Sequence, residues 1–234
     1  WADVASVMAP LYDTKGLIKP GSALKAETAA IMAATSDPLQ RTQRALQLVQ
    51  DKVRYLAVQL NGGNYVPQSP EQTWAARYGD CKAKTLLLLA LLHDMGIEAE
   101  AVLAHIDQGD LVSVRLPSAL AFNHVLVRAS INGESLWLDG TSSGDRLPDI
   151  RDTPPFFNVL PLRAAGASLM PLPMRPNGRP SLDLDVAIDE SAAFNLDPVA
   201  DVKLVLTGRA AVQYNAIAGR LGPKESHDLI ANLV

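Results

Sequence analysis

Cys81 is the only cysteine in the chain. It follows Gly79-Asp80 at a point where a loop turns into a helix, and a long apolar run comes after it. Downstream stand Phe122-Asn123-His124-Val125 and Trp137-Leu138-Asp139-Gly140-Thr141, two segments with strand-like patterns. A thiol at a helix start with a histidine and an aspartate on later strands is the layout of a nucleophile, its base and an orienting acid. A lone cysteine is more often a small core residue. The position of Cys81 argues otherwise. The unpaired N–H groups and the dipole at a helix start favour a thiolate, and Lys82 and Lys84 add positive charge. The Cys81 backbone N–H also has no acceptor within its own helix, so it can donate to an oxyanion.

Whether His124 and Asp139 can meet depends on register. Asn132-Gly133 is a strong two-residue hairpin turn. With those two at the tip, residue 131 faces 134, His124 faces Thr141, and Asp139 faces Leu126. His124 and Leu126 are two apart on one strand and share a face. Asp139 therefore lies one diagonal step from His124, with about 7–8 Å between backbones, a gap that side chains can close. A carboxylate on one imidazole nitrogen fixes the tautomer and leaves the other nitrogen to a thiol.

The remaining histidines read as ordinary: His93 within the apolar helix, His105 at a strand end, His227 in a C-terminal helix. No Cys/His pair has zinc-ligand spacing and no acidic loop has the calcium pattern, so neither a metal nor a cofactor is expected. Asn61-Gly62-Gly63-Asn64 lacks the lysine and the strand context of a phosphate loop. The net charge is −4 with no basic cluster, so nucleic acid is not an expected partner. The longest apolar run, Leu86 to Leu92, is far shorter than the roughly 20 residues of a membrane span, and no transmembrane segment is expected.

At 234 residues with 48% hydrophobic content, the chain can bury one domain and part of a second. Residues 1–35 read as a lead-in from a preceding domain, with an Ala-rich helix at 23–35. Ser36-Asp37-Pro38 is a helix start, and Leu39, Leu46, Val49, Val53 and Leu56 recur at helical spacing, so one helix is expected over 38–58, broken by Asn61-Gly62-Gly63-Asn64. Residues 65–77 read as loop with a short helical turn. Asp80 caps a buried helix from Cys81 to about Met95 that stops at Gly96. Strands follow at 97–106, 121–129 and 135–139, and 107–120 is a polar loop. Residues 36–146 form the expected core. Residues 147–180 hold eight of the sixteen prolines and read as a crossover or linker. Residues 181–234 read as a partial β-rich domain: alternation at Leu182, Leu184, Val186 and Ile188, and at Val202, Leu204 and Leu206, predicts two half-buried strands before a helix-like end at 209–234.

Arg54-Tyr55, Pro67, Pro70, Trp74, Tyr78-Gly79-Asp80-Cys81-Lys82-Ala83-Lys84, Phe122-Asn123-His124-Val125 and Leu138-Asp139-Gly140-Thr141 together resemble the transglutaminase-like superfamily over roughly residues 35–145, most closely its bacterial branch. That branch commonly has an acidic residue where this chain has Ala83. The resemblance implies an α+β, papain-like core, with a central helix carrying the cysteine packed on an antiparallel sheet. It implies Cys81 as nucleophile, His124 as base and acid, and Asp139 as orienter. Gln68 and Trp74 are candidates for a second oxyanion donor or cleft wall. The expected activity is acyl transfer on peptide or amide bonds, with hydrolysis by a cysteine protease or amidase favoured. Cross-linking by a protein-glutamine transglutaminase and a low-turnover peptide-binding or envelope-binding module are the alternatives. The expected partners are a peptide or protein amide and flanking domains of a longer chain, and the expected location is the bacterial envelope or periplasm.

Overall fold

The computed structural model describes residues 1–56, 65–191, 197–218, 222 and 225. They fall into two compact units, Trp1–Gly178 and Arg179–Val234. In the first unit, α1 (Ala2–Met8), α2 (Ala23–Ala34) and α3 (Pro38–Lys52) lead to β1 (Arg54–Tyr55), α4 (Pro70–Ala76), β2 (Tyr78–Gly79) and α5 (Cys81–Asp94). Strands β3 (Glu98–Ala104), β4 (His124–Ile131), β5 (Glu134–Leu138), β6 (Asn158–Pro161) and β7 (Met170–Pro171) follow. These five build an antiparallel sheet in the order β5-β4-β3-β6-β7, while β1 and β2 make a short parallel pair. The α+β reading, with the cysteine helix laid on an antiparallel sheet, is the architecture found.

The axis of this unit is α5. The Asp80 carboxylate accepts from the Ala83 N–H at 3.0 Å and starts the helix. Gly96, at φ +73°, takes the chain out of it in a left-handed conformation that a side chain would strain. Every residue from Cys81 to Leu92 is buried. A helix with no polar face needs cover on all sides. The α2, α3 and α4 helices and strands β3 and β4 all pack on it.

Two stretches differ from expectation: in the first a tertiary contact overrides the local pattern, and in the second a local capping signal makes a helix. Helix α3 starts as expected, with the Asp37 carboxylate accepting from Leu39 N–H, but it ends at Lys52. Val53 is extended, and the next residues pair with β2 through Arg54 N–H to Arg77 O at 2.9 Å and Leu56 N–H to Gly79 O at 3.1 Å. The helical spacing that runs on to Leu56 yields to this ladder, which also ties down the residues leading into Cys81. Residues 57–64, including the expected break at Asn61-Gly62-Gly63-Asn64, lie outside the described residues. The stretch read as mostly loop at 65–77 contains a full helix, α4. Its Ser69 and Gln72 cap each other reciprocally and Pro70 opens it, a start signal present in the sequence.

The segment 147–180, expected as linker, supplies β6 and β7 to the sheet. Pro161 and Pro171 are each the last residue of their strand, where a missing N–H is tolerated. Residues 1–35 are likewise part of this unit. Ala5, Met8, Tyr12, Leu24 and Ile31 join the core around α5, and the Asp94 carboxylate at the end of α5 takes Lys25 Nζ at 2.9 Å and Thr28 Oγ1 at 2.5 Å from α2.

The hairpin forms in the expected register, with Ile131 opposite Glu134 and Val127 opposite Leu138. In the second unit, β8 (Leu182–Asp189) and β9 (Val199–Leu206) pair antiparallel and lead to α6 (Gly208–Ala218). The alternation correctly marks two strands and one apolar face, but β8 is exposed along its whole length and β9 along most of its own. The expected half-burial is not found, since a two-stranded ribbon has no second layer of its own. The later part of the helix expected over 209–234 lies outside the described residues.

Leu88, fully buried in the middle of α5, tests the packing. Leu88→Ala should lower stability by about 3 kcal/mol, the usual range for a leucine truncated in a close-packed core, read from the urea midpoint at unchanged slope.

Candidate active site

Cys81 is the first residue of α5, His124 the first of β4, and Asp139 the first past the end of β5. Each terminus is set by a feature already described: the Asp80 cap, the pairing of His124 with Ala104 on β3, and the end of the hairpin ladder at Leu138. Helix and sheet meet beside the site. Thr85 lies one helical turn after Cys81, on the same face, and its hydroxyl donates to the Val125 carbonyl at 3.0 Å. That bond places the start of α5 against the residue next to His124.

The ring and the carboxylate meet as the register requires. His124 Nε2 lies 3.0 Å from Asp139 Oδ2. The other carboxylate oxygen accepts from Thr141 N–H at 2.9 Å and Thr141 Oγ1 at 2.7 Å. His124 is 1% exposed, and its ring stands edge-on to Phe156 with centroids 5.5 Å apart. Nδ1 is buried without a hydrogen bond, and the Cys81 side chain, itself 3% exposed, lies within electrostatic reach of the ring.

Burial alone would push the imidazole towards its neutral form, but the Asp139 carboxylate outweighs it and Cys81 adds to the effect, so the His124 pKa rises from 6.5 to about 10. Burial would raise Asp139, yet the His124 charge and the bonds from His124 and Thr141 bring its pKa from 3.8 down to about 2. Both shifts say the same thing. They favour the imidazolium–carboxylate form of the pair.

Two buried lysines flank the thiol on α5. Lys82 Nζ lies 2.5 Å from Asp80 Oδ2, and Lys84 Nζ donates to the Val53 carbonyl at the end of α3 at 2.5 Å. Burial lowers the Lys84 pKa to about 8, partly opposed by Asp139 and Asp51. Two tyrosines feel the same centre. Burial and the charges of Cys81 and Asp80 raise Tyr12, whose hydroxyl is buried without a hydrogen bond. Burial, Cys81, Asp139 and Asp80 raise Tyr55 to about 12. Tyr12 gave no sequence signal, because it lies far from the motifs in a segment read as a lead-in.

Gln68 and Trp74 part company. Gln68, with Leu56, Val66, Pro67, Tyr78, Gly79, Asp80 and Ala83, lines an open cavity of about 460 Å³ beside the start of α5, and its Oε1 accepts from Thr73 Oγ1 at 3.3 Å. Trp74 is buried and lines a different cavity with Leu17, Leu24 and Arg77, whose guanidinium stacks 3.6 Å from the ring centroid. Thr141 and Gln50 are contacts of Asp139 to which the sequence reading gave no role. The Asp-x-Thr spacing and a glutamine on the apolar face of α3 were their signals. Among the described residues no cluster of three His, Cys, Asp or Glu side chains could hold a metal ion, and no helix is long and apolar enough to cross a membrane.

Comparison with known proteins bears on this geometry. Residues 25–138 match the model of the transglutaminase-like superfamily. No curated protein sequence matches the chain. Among solved structures, a candidate protease from Parabacteroides distasonis superposes over 74% of this chain and 31% of its own, at 13% identity and a TM-score of 0.55. A candidate cysteine protease from Cytophaga hutchinsonii aligns over 86% of this chain and 56% of its own, at 14% identity and a TM-score of 0.42. The chain thus spans about a third and somewhat over half of those two proteins. At such identity the likeness to the first is one of fold.

The pair makes stability depend on pH in a definite direction. His124 titrates higher in the folded chain than in the unfolded one, so its contribution is complete below about pH 6.5 and is lost as pH rises towards 10. Asp139 titrates lower when folded, so its contribution is present above about pH 3.8 and is lost as pH falls towards 2. The Tm difference between wild type and Asp139→Asn should therefore be largest between about pH 4 and 6.5 and shrink steadily up to pH 10, measured by thermal melts across that range.

Proposed function

We propose that this chain, a member of the transglutaminase-like superfamily through residues 25–138, is a thiol-dependent hydrolase of peptide or amide bonds. The observation that carries the reading is the 3.0 Å contact between His124 Nε2 and Asp139 Oδ2, with Cys81 at the start of α5. A charged imidazole held against a carboxylate, with its second nitrogen left towards a thiol, suits a thiolate–imidazolium nucleophile.

In this reading the Cys81 thiolate attacks the substrate carbonyl carbon and the carbonyl π electrons move to oxygen. The Cys81 backbone N–H, at the first position of α5, donates to that oxyanion. Gln68, on the cavity wall beside Gly79-Asp80, is the better placed of the two proposed second donors. As the oxyanion collapses, the C–N bond breaks and the His124 imidazolium gives its proton to the departing amine. A thioester on Cys81 remains. Neutral His124 then takes a proton from water, whose oxygen attacks the thioester. The C–S bond breaks, the acid leaves, and thiolate and imidazolium are restored. Asp139 keeps the proton on Nε2 and stabilises the ring's charge throughout. An amine in place of water would give cross-linking by the same steps. The bacterial envelope or periplasm remains the proposed setting.

Two variants test the assignment. Cys81→Ala should abolish peptide hydrolysis with the fold retained, since a small side chain is tolerated at a helix start. Asp139→Asn should lower turnover by about a thousandfold or more through the wrong histidine tautomer. The assay is mass spectrometry of a mixed peptide library incubated with a labelled primary amine. New termini support hydrolysis, incorporated label supports cross-linking, and full activity in Cys81→Ala refutes the mechanism.

A further inference from the structure

Helix α3 buries Thr42, Ala45, Leu46, Val49 and Gln50 on one face. Gln50 is the long polar residue on that face, and a buried amide must find partners. Its partners Asp139 and Asp145 lie in one loop, far away in sequence. Nε2 donates to the Asp139 carbonyl at 3.0 Å and to Asp145 Oδ2 at 2.7 Å, and Oε1 accepts from Asp145 N–H at 3.2 Å. The same loop is wedged between two helices at Gly140. A Cβ there would stand 3.3 Å from Val49 Cγ1 on α3 and 3.4 Å from Lys84 Cβ on α5.

These contacts divide the work of holding Asp139. Thr141 binds the carboxylate from within the loop, two residues away, so it sets the carboxylate relative to its own backbone and nothing else. Strand β5 stops at Leu138. The Asp139 carbonyl also accepts from Ser142 N–H at 3.2 Å within the loop, and the directed bond that ties it to a helix is the one from Gln50 on α3, beside the packing of Gly140 between α3 and α5.

We propose that Gln50 is a positioning residue for the Asp139–His124 pair, acting from α3 through the backbone of the 139–145 loop. The proposal rests on the reading of Cys81, His124 and Asp139 given above for its catalytic meaning. Gln50 touches no reacting atom. It holds the carbonyl of the residue whose carboxylate holds the ring.

The test reads the ring rather than turnover, so an idle thiol and an unmoved ring are separate failures. In 15N-labelled full-length chain, the His124 ring is followed by NMR from pH 5 to 11. In wild type it should stay protonated on both nitrogens through about pH 9. In Gln50→Met, similar in length and apolar, its midpoint should fall by at least one pH unit towards 6.5 and the Nε2–H signal should broaden by exchange with solvent. Gln50→Asn, a shorter amide that cannot span to the Asp139 carbonyl, should move the midpoint the same way, and it decides the matter if Gln50→Met does not fold. A residue that merely stabilised the fold would lower the Tm and leave the titration in place. An unmoved midpoint in a folded variant overturns the proposal, and a wild-type ring titrating near 6.5 overturns it together with the pair.

Discussion

A carboxylate and an imidazolium 3.0 Å apart, almost out of reach of water, are the constraint around which the first unit is arranged. Each charge alone would be expensive to bury, and each is tolerable only in the other's presence. The expense extends outward. Asp139 needs Thr141 on its second oxygen, and its backbone is met by Gln50 from α3. These contacts link α3, the 139–145 loop and His124 in one hydrogen-bonded chain.

The apolar frame supplies the rigidity that such a pair demands. Helix α5 is buried on every side, so the depth and the angle at which it delivers Cys81 are set by packing on several faces at once. Its two lysines add polar anchors inside that packing. Lys82 meets the capping Asp80, and Lys84 meets the Val53 carbonyl just past α3. Thr85 then fastens the helix to β4 beside His124. Cys81 and His124 thus sit on different layers joined by directed hydrogen bonds, while Asp139 directly follows the strand that pairs with β4. The hydrophobic effect assembles these layers, and the polar contacts fix their offsets.

The parts legible in the sequence were those governed by local rules. The start of α5 follows from Asp80, its stop from Gly96, its burial from an unbroken leucine run, and the hairpin register from Asn132-Gly133. The register alone put Asp139 within reach of His124. What local rules could not show were contacts that compete with them. Val53 to Leu56 carry helical spacing but pair with β2. Prolines that read as linker punctuation turn out to end sheet strands at Pro161 and Pro171. Tyr12 and Gln50 reach the site from elements distant in sequence, and nothing in the neighbourhood of Tyr12 announces it. Gln50 left a faint mark as an amide on a mostly apolar helix face.

The central claim is that the pair serves the thiol. The most direct measurement is the rate at which iodoacetamide alkylates Cys81 across pH 5 to 9, in wild type and in His124→Ala. A working ion pair predicts rapid alkylation already at pH 6, falling at least tenfold when the imidazole is removed. Equal rates in the two proteins would mean that Cys81 is a buried core residue beside an unrelated ion pair, and the enzymatic reading would be wrong.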